Sequence, residues 1–185
     1  MTSELIANKA LATLARHNVQ LDDGLTDGEL ERVEEVLGVR IPPDLRLLLS
    51  LRLPVGDGFP DWRNPASEGI AWRLDGPTSG ILFDVKHNRF WYPTWPERPS
   101  SFADAIELAK LELAKAPRLI PVCFHRFLPS DPCEFGNPVL SVMQTDIIYY
   151  GTDLAEYFEN ELARGWKIDG EPRSVPFWTY FLEMD

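Results

Sequence analysis

Leu119-Ile120-Pro121-Val122-Cys123-Phe124, then Val139-Leu140-Ser141-Val142-Met143 and Ile147-Ile148-Tyr149-Tyr150, decide the fold. Each is a short run rich in apolar, β-branched or aromatic residues, and each predicts a strand. Gln144-Thr145-Asp146 separates the last two by a loop of hairpin length, so that pair predicts an antiparallel hairpin. Between the first run and the second, the stretch from His125 to Asn137 holds Pro129 and Pro132, with Pro138 just beyond it. It predicts a loop.

Working upstream, Ile81-Leu82-Phe83-Asp84-Val85 and Arg89-Phe90-Trp91-Tyr92 flank Lys86-His87-Asn88 and predict another hairpin, with Asn88 suited to positive φ. Pro93, Pro96 and Pro99 follow and stiffen the exit. Residues 54–79 show no sustained period and are punctuated by glycine and proline, which predicts an irregular region anchored by Phe59, Trp62 and Trp72.

The flanks are helical. Ala7, Ala10, Leu11 and Leu14 give helical spacing to a first helix over about Ser3–His17. Thr26 with Glu29 three residues on is a capping-box pattern, and Gly38 is a stop signal. Pro43 suits the first turn of a third helix carrying Leu45, Leu48 and Leu49 inward. Ser101 can cap a helix reaching about Lys115, with Phe102, Ala105, Ile106, Ala109 and Leu113 on one face. Thr152 can cap another with Leu154, Tyr157, Phe158 and Leu162 inward, ended by Gly165. Residues 175–182 form an apolar segment expected to dock as a terminal helix. Hairpin-joined strands set among helices predict an α+β fold with a central, mostly antiparallel sheet and helices packed on it. One domain is expected over residues 1–185. Residues 1–20 are its N-terminal helical extension and residues 166–185 its docked C-terminal segment.

Composition narrows the function. The 185 residues carry a net charge of −11, and 44% are hydrophobic. That apolar share suits a globular chain of this length, which needs no disulfide or metal to hold a core. The acidity argues against nucleic acid and against an anionic membrane surface, and it suits a basic protein partner. The excess concentrates late: residues 121–185 hold eleven acidic and four basic side chains. No apolar run is long enough for a membrane span. The first residues read as an amphipathic helix and not as a signal peptide, so a cytoplasmic location with reduced Cys123 and Cys133 is expected.

Candidate chemistry is sparse. Cys123, His125 and Cys133 match no zinc spacing well, and neither a metal nor a cofactor is expected. Cys123 or Cys133 paired with His125, and Asp131 orienting the ring, would make a thiol nucleophile. The competing account places Cys123 in the core as a small hydrophobe. No phosphate-binding loop and no nucleophile elbow is present. Aromatic residues beside charges in proline-bound loops are what a protein-binding hot spot looks like, and Asp61, Trp62, Arg63, Trp95, Glu97 and Arg98 are the candidates.

Four stretches resemble the SUKH superfamily, the group that includes the yeast cell-wall synthesis regulator. They are Leu25-Thr26…Leu37-Gly38-Val39…Ile41-Pro42…Leu48-Leu49; Pro54-Val55-Gly56…Trp62-Arg63; Gly80-Ile81…Asn88…Trp95…Arg98-Pro99; and Leu119-Ile120-Pro121…Gly136-Asn137-Pro138…Asp153-Leu154. The chain departs from that pattern at Pro96-Glu97, where relatives more often carry glycine after the tryptophan. The resemblance implies a largely antiparallel α+β fold and, in many bacterial members, immunity against secreted toxins, often nucleases. It implies no catalytic residues. It makes Arg126, His125 and the Asn137-Pro138 turn fold-fixing positions, and leaves Asp84 and Asp146 either structural or contacting. The expected function is therefore a non-enzymatic module that binds and neutralises a toxin. A regulatory or scaffold protein of the same fold is the alternative, and a cysteine-dependent enzyme a remote one. Neither the partner's identity, the surface that binds it nor the oligomeric state follows from the sequence.

Overall fold

A computed structural model describes residues 2–182, and of Arg164 the backbone alone. Met1 and residues 183–185, which the expected terminal segments include, lie outside it. The architecture is α+β, with two antiparallel sheets and helices on both sides of the larger one.

The first third is built from strong local signals. Helix α1 (Ser3–Arg16) is capped by Thr2. Strand β1 (Leu21–Asp23) leads to α2 (Asp27–Leu37), where the Thr26–Glu29 capping box forms in full and Gly38 ends the helix in the left-handed conformation. Helix α3 (Pro43–Leu51) starts on Pro43 and runs into β2 (Arg52–Pro54), which pairs with β1.

The next segment overturns the expected upstream hairpin. Residues 68–87 form one helix, α4 (Glu68–His87), capped by Ser67 and continuing through Pro77. The run at 81–85 is thus helical, with Ile81 and Val85 one turn apart and both buried. Residues 89–92 are coil. Asn88 closes the helix at φ −111, and the positive φ falls one residue later, on Arg89 at 58. Helix α5 (Phe102–Leu113) follows its Ser101 cap, but Phe102 points out to solvent instead of into the expected face.

The larger sheet is a four-stranded meander: β3 (Leu119–Cys123), β4 (Arg126–Pro129), β5 (Val139–Met143) and β6 (Asp146–Gly151). Strand β4 lies inside the segment expected to be loop, and it pairs with β3 across a turn at Phe124-His125. The expected hairpin of β5 and β6 is present, with Met143 opposite Asp146. Helix α6 (Leu154–Glu159), capped by Asp153 and not by Thr152, extends through a π turn (Asn160–Arg164). The tail ends in α7 (Thr179–Leu182), against β6.

Each face of this sheet carries its own core. Ile120, Val122, Leu128 and Val139 pack with α1, α2, α3 and α6, in a largely aliphatic cluster. Leu119, Phe127, Leu140, Val142 and Ile147 pack with α4, α5 and the tail, in a cluster rich in Trp and Phe. Alternate residues feed opposite cores, as the pleat requires. A sheet covered on both faces explains why its strands read as nearly continuous apolar runs.

Two buried aspartates lock loops to these layers. Asp44, on α3, accepts from the Gly136 amide at 2.9 Å and from the Leu45 amide at 3.0 Å. Burial pushes its carboxyl up, against the pull of those amides. Asp84, on α4, accepts from the Thr145 amide at 2.9 Å and the Thr145 hydroxyl at 2.6 Å, and so ties the β5–β6 turn to the helix. That contact makes Asp84 structural, while Asp146 is exposed.

Candidate protein-binding surface

The residues first suspected of binding divide between the two cores. Trp62 is 3% exposed and packs in the aliphatic cluster, while Trp95 is 7% exposed and packs among Phe90, Trp91 and Tyr92. Neither ring is an external anchor. Trp95, a hot-spot candidate from its proline-bound loop, is instead enclosed by neighbouring aromatic rings. Arg63 is taken up by an ion pair with Glu29 and a 2.8 Å bond to the Asp23 carbonyl. Arg98 donates to the carbonyls of Val85 and Arg89 at 2.9 and 3.1 Å, closing the end of α4, and lies over Trp91. Asp61 and Glu97 remain exposed. The Trp91 indole donates to the Pro96 carbonyl at 2.9 Å.

A different set of side chains converges. Helix α4 presents Trp72, Gly76 and Gly80 one turn apart, and the β3–β4 and β5–β6 turns approach that face. Gly80 makes the approach possible: a Cβ there would stand 2.9 Å from the Gln144 Cα. Phe124 rests its ring on Gly58 in the same way, since a Cβ on Gly58 would meet the ring at 2.5 Å. Between helix and turns lies a groove of about 440 Å³, lined chiefly by Trp72, Phe124, Phe127, Val142, Met143 and Gln144. Trp72 is 76% exposed, Met143 57% and Phe124 53%. Trp72 was expected to anchor an irregular region, and instead it stands on the outer face of a helix. An apolar patch this open marks an interaction site more often than a random surface does.

Arg73 and His125 also line this groove, and both are engaged. Arg73 donates to the Phe124 carbonyl at 3.1 Å. His125 Nε2 accepts from the Arg126 guanidinium, and burial followed by the Arg126 charge holds the imidazole pKa down, which favours the neutral ring. Arg126 is itself buried. It reaches Glu161 at 3.1 Å and Ser141 at 3.0 Å, and sits 3.8 Å from the Tyr150 ring centre. It thereby joins three strands and the π turn. Asn137 donates to the carbonyls of Pro129 and Pro132 and accepts from Arg173, so it too holds loops together.

Cys123 is buried, and burial pushes its thiol up to about 11. At neutral pH that thiol is protonated and a poor nucleophile. Cys133 is exposed in the loop near Ile41, its thiol 3.8 Å from the Ile41 carbonyl. Among the described residues, no three His, Cys, Asp or Glu side chains are grouped to hold a metal ion, and no helix is long and apolar enough to cross a membrane.

Comparison with protein-family models, curated proteins and solved structures finds no match for this chain.

Sequence reasoning missed this surface for one reason. Trp72, Gly76 and Gly80 share a face only on a helix, and the glycines and Pro77 hid that helix. The usable signal was Ser67 as a cap before Ile70, Leu74, Pro77, Ile81 and Val85 at helical spacing.

Proposed function

We propose that this chain is a non-enzymatic protein-binding module of the immunity type, which docks on a basic toxin domain and blocks it. The open apolar groove carries the reading: Trp72, Phe124 and Met143 stand exposed around it, whereas most of the other rings are packed. A net charge of −11 favours a basic partner and would speed its capture. The resemblance to SUKH proteins is the ground for naming a toxin as that partner. The buried, protonated Cys123 supports a role without thiol catalysis.

The test is affinity capture of the tagged full chain from its native cells, with captured proteins identified by mass spectrometry and then expressed alone and together with the chain. The expected result is a basic protein that arrests growth alone and is harmless when the chain is co-expressed. A captured partner with no growth effect would move the chain to a regulatory or scaffold role. Turnover of a small molecule that is lost in Cys123→Ser would defeat the non-enzymatic part.

A further inference from the structure

We infer that the groove between α4 and the two hairpin turns seats one aromatic or branched aliphatic side chain of a partner protein, flanked on that partner by Lys or Arg. The inference rests on the protein-binding reading above and assigns it a place and a chemistry.

The apolar half follows from the walls. Trp72, Phe124, Val142 and Met143 offer ring and thioether surface around about 440 Å³, enough space for an inserted ring. The cation lining the groove, Arg73, is committed to the Phe124 carbonyl, and His125 accepts from Arg126. Arg73 keeps its charge but spends a donor on that carbonyl, and no acidic side chain lines the groove itself, so the cations of a partner are met at the rim and not inside.

The basic half follows from the rim. Glu68 lies one helical turn before Trp72. Asp57 is next to Gly58, on which the Phe124 ring rests. Asp146 stands directly opposite Met143 in the β5–β6 ladder, so both side chains leave the same face of the sheet. All three carboxylates are exposed. An apolar centre with exposed carboxylates beside it, in a chain of net charge −11, matches a hydrophobic anchor flanked by cations.

Phe124 supplies an independent pointer. Its φ is 46, a region where a bulky side chain is strained and Asn or Gly is at ease. Backbone strain alone would place one of those two there. The ring instead projects half-exposed over the groove, where a docked side chain would cover it.

The test selects random dodecamers displayed on phage against the full chain, then measures the enriched peptides against wild type, Trp72→Ala and Phe124→Asn. The expected peptides carry Trp, Phe, Leu or Ile next to Lys or Arg, bind saturably, weaken with salt, and lose about tenfold or more in affinity to either variant. Thermal melts of both variants confirm that the fold persists. Peptides no richer in Lys and Arg than the library overturn the basic half. Equal affinity for wild type and both variants overturns the groove while leaving partner binding intact, because a partner would then sit elsewhere. Selection that yields no saturable peptide overturns the side-chain seat, and an empty affinity capture beside it removes the protein-binding reading as well. A wild-type chain that sediments as a dimer, and as a monomer in Trp72→Ala, identifies a second copy as the occupant and defeats the proposal.

Discussion

The two faces of the four-stranded sheet are built differently. On one, α1, α2, α3 and α6 close over an aliphatic core, each helix placed by a cap, a proline start or a glycine stop within its own sequence. On the other, α4, α5 and the tail meet through rings brought from distant positions: Tyr92 stacks on Phe177, and Phe90 meets Phe181. The helices of the first face leave the aliphatic Leu5, Val36 and Leu51 part-exposed but no ring. The second leaves Trp72, Phe83 and Phe102 facing water on the helices that cover it. Aliphatic residues at helical spacing can close a layer by themselves. Large rings fill a core in coarser steps, and those left outside become surface with which to bind.

The sharpest way to break that contrast is to truncate one tryptophan of each kind. Trp95→Ala should cost about 3–5 kcal/mol in denaturant unfolding, because its ring is enclosed by others. Trp72→Ala should change stability by no more than about 0.5 kcal/mol. Equal costs would erase the distinction between packed and offered rings.

Asp84 and Asp44 compare the faces through their buried carboxylates. Asp84→Ala removes the acceptor of the Thr145 amide and hydroxyl, leaving part-buried donors unpaired at a cost of about 1–2 kcal/mol. Hydrogen exchange should show the Thr145 amide losing protection. Unchanged protection would mean the turn holds α4 without the aspartate. Asp44, on the opposite face, should reveal itself through pH. Burial raises its folded pKa, so the native state holds this proton to higher pH than the unfolded chain does. Stability from this group is therefore greatest below the unfolded pKa and falls as pH climbs from the ordinary aspartate range toward the raised folded value. Asp44→Asn should remove that component from the wild-type stability–pH curve. Identical slopes in the two proteins through that window would show that the amides of Gly136 and Leu45 offset the burial.

What was legible in the chain follows the same division. The Thr26–Glu29 box, Pro43 and the β5–β6 hairpin are local signals, each sufficient within a few residues, and each is found in place. Helix α4 was illegible because Gly69, Gly76, Pro77 and Gly80 are breakers by local rule, while what keeps it helical is remote: Asp84 gripping Thr145, and Ile81 and Val85 inside the aromatic core. A run of five residues such as 81–85 fits a strand as well as a helix, so spacing within it could not decide. Strand β4 was hidden in turn by its flanking prolines and by Arg126, a charge that is acceptable in the sheet interior only because Glu161 and Ser141 meet it. The groove depended on both missed elements. Its residues could not be assembled until α4 and β4 were in place, whereas Trp62 and Trp95 drew attention through loop-like neighbours that in fact bury them.

The smallest expected effect separates stability from binding most cleanly. Phe124 occupies φ 46 at the turn joining β3 to β4, and its ring covers Gly58 with half its surface still in water. Asn at that position fits the left-handed region better, by about 1 kcal/mol, and loses a partly solvated ring contact of similar size. Phe124→Asn should therefore melt within a degree or two of wild type, at about 0.5 kcal/mol or less in either direction. A loss of several kcal/mol would make the ring a structural plug over Gly58 and return it to the packed side of the comparison. Near-neutral stability would leave the ring with no structural debt to explain its place, and the contrast between an aliphatic face and an aromatic one would then rest on what the exposed rings touch outside the chain.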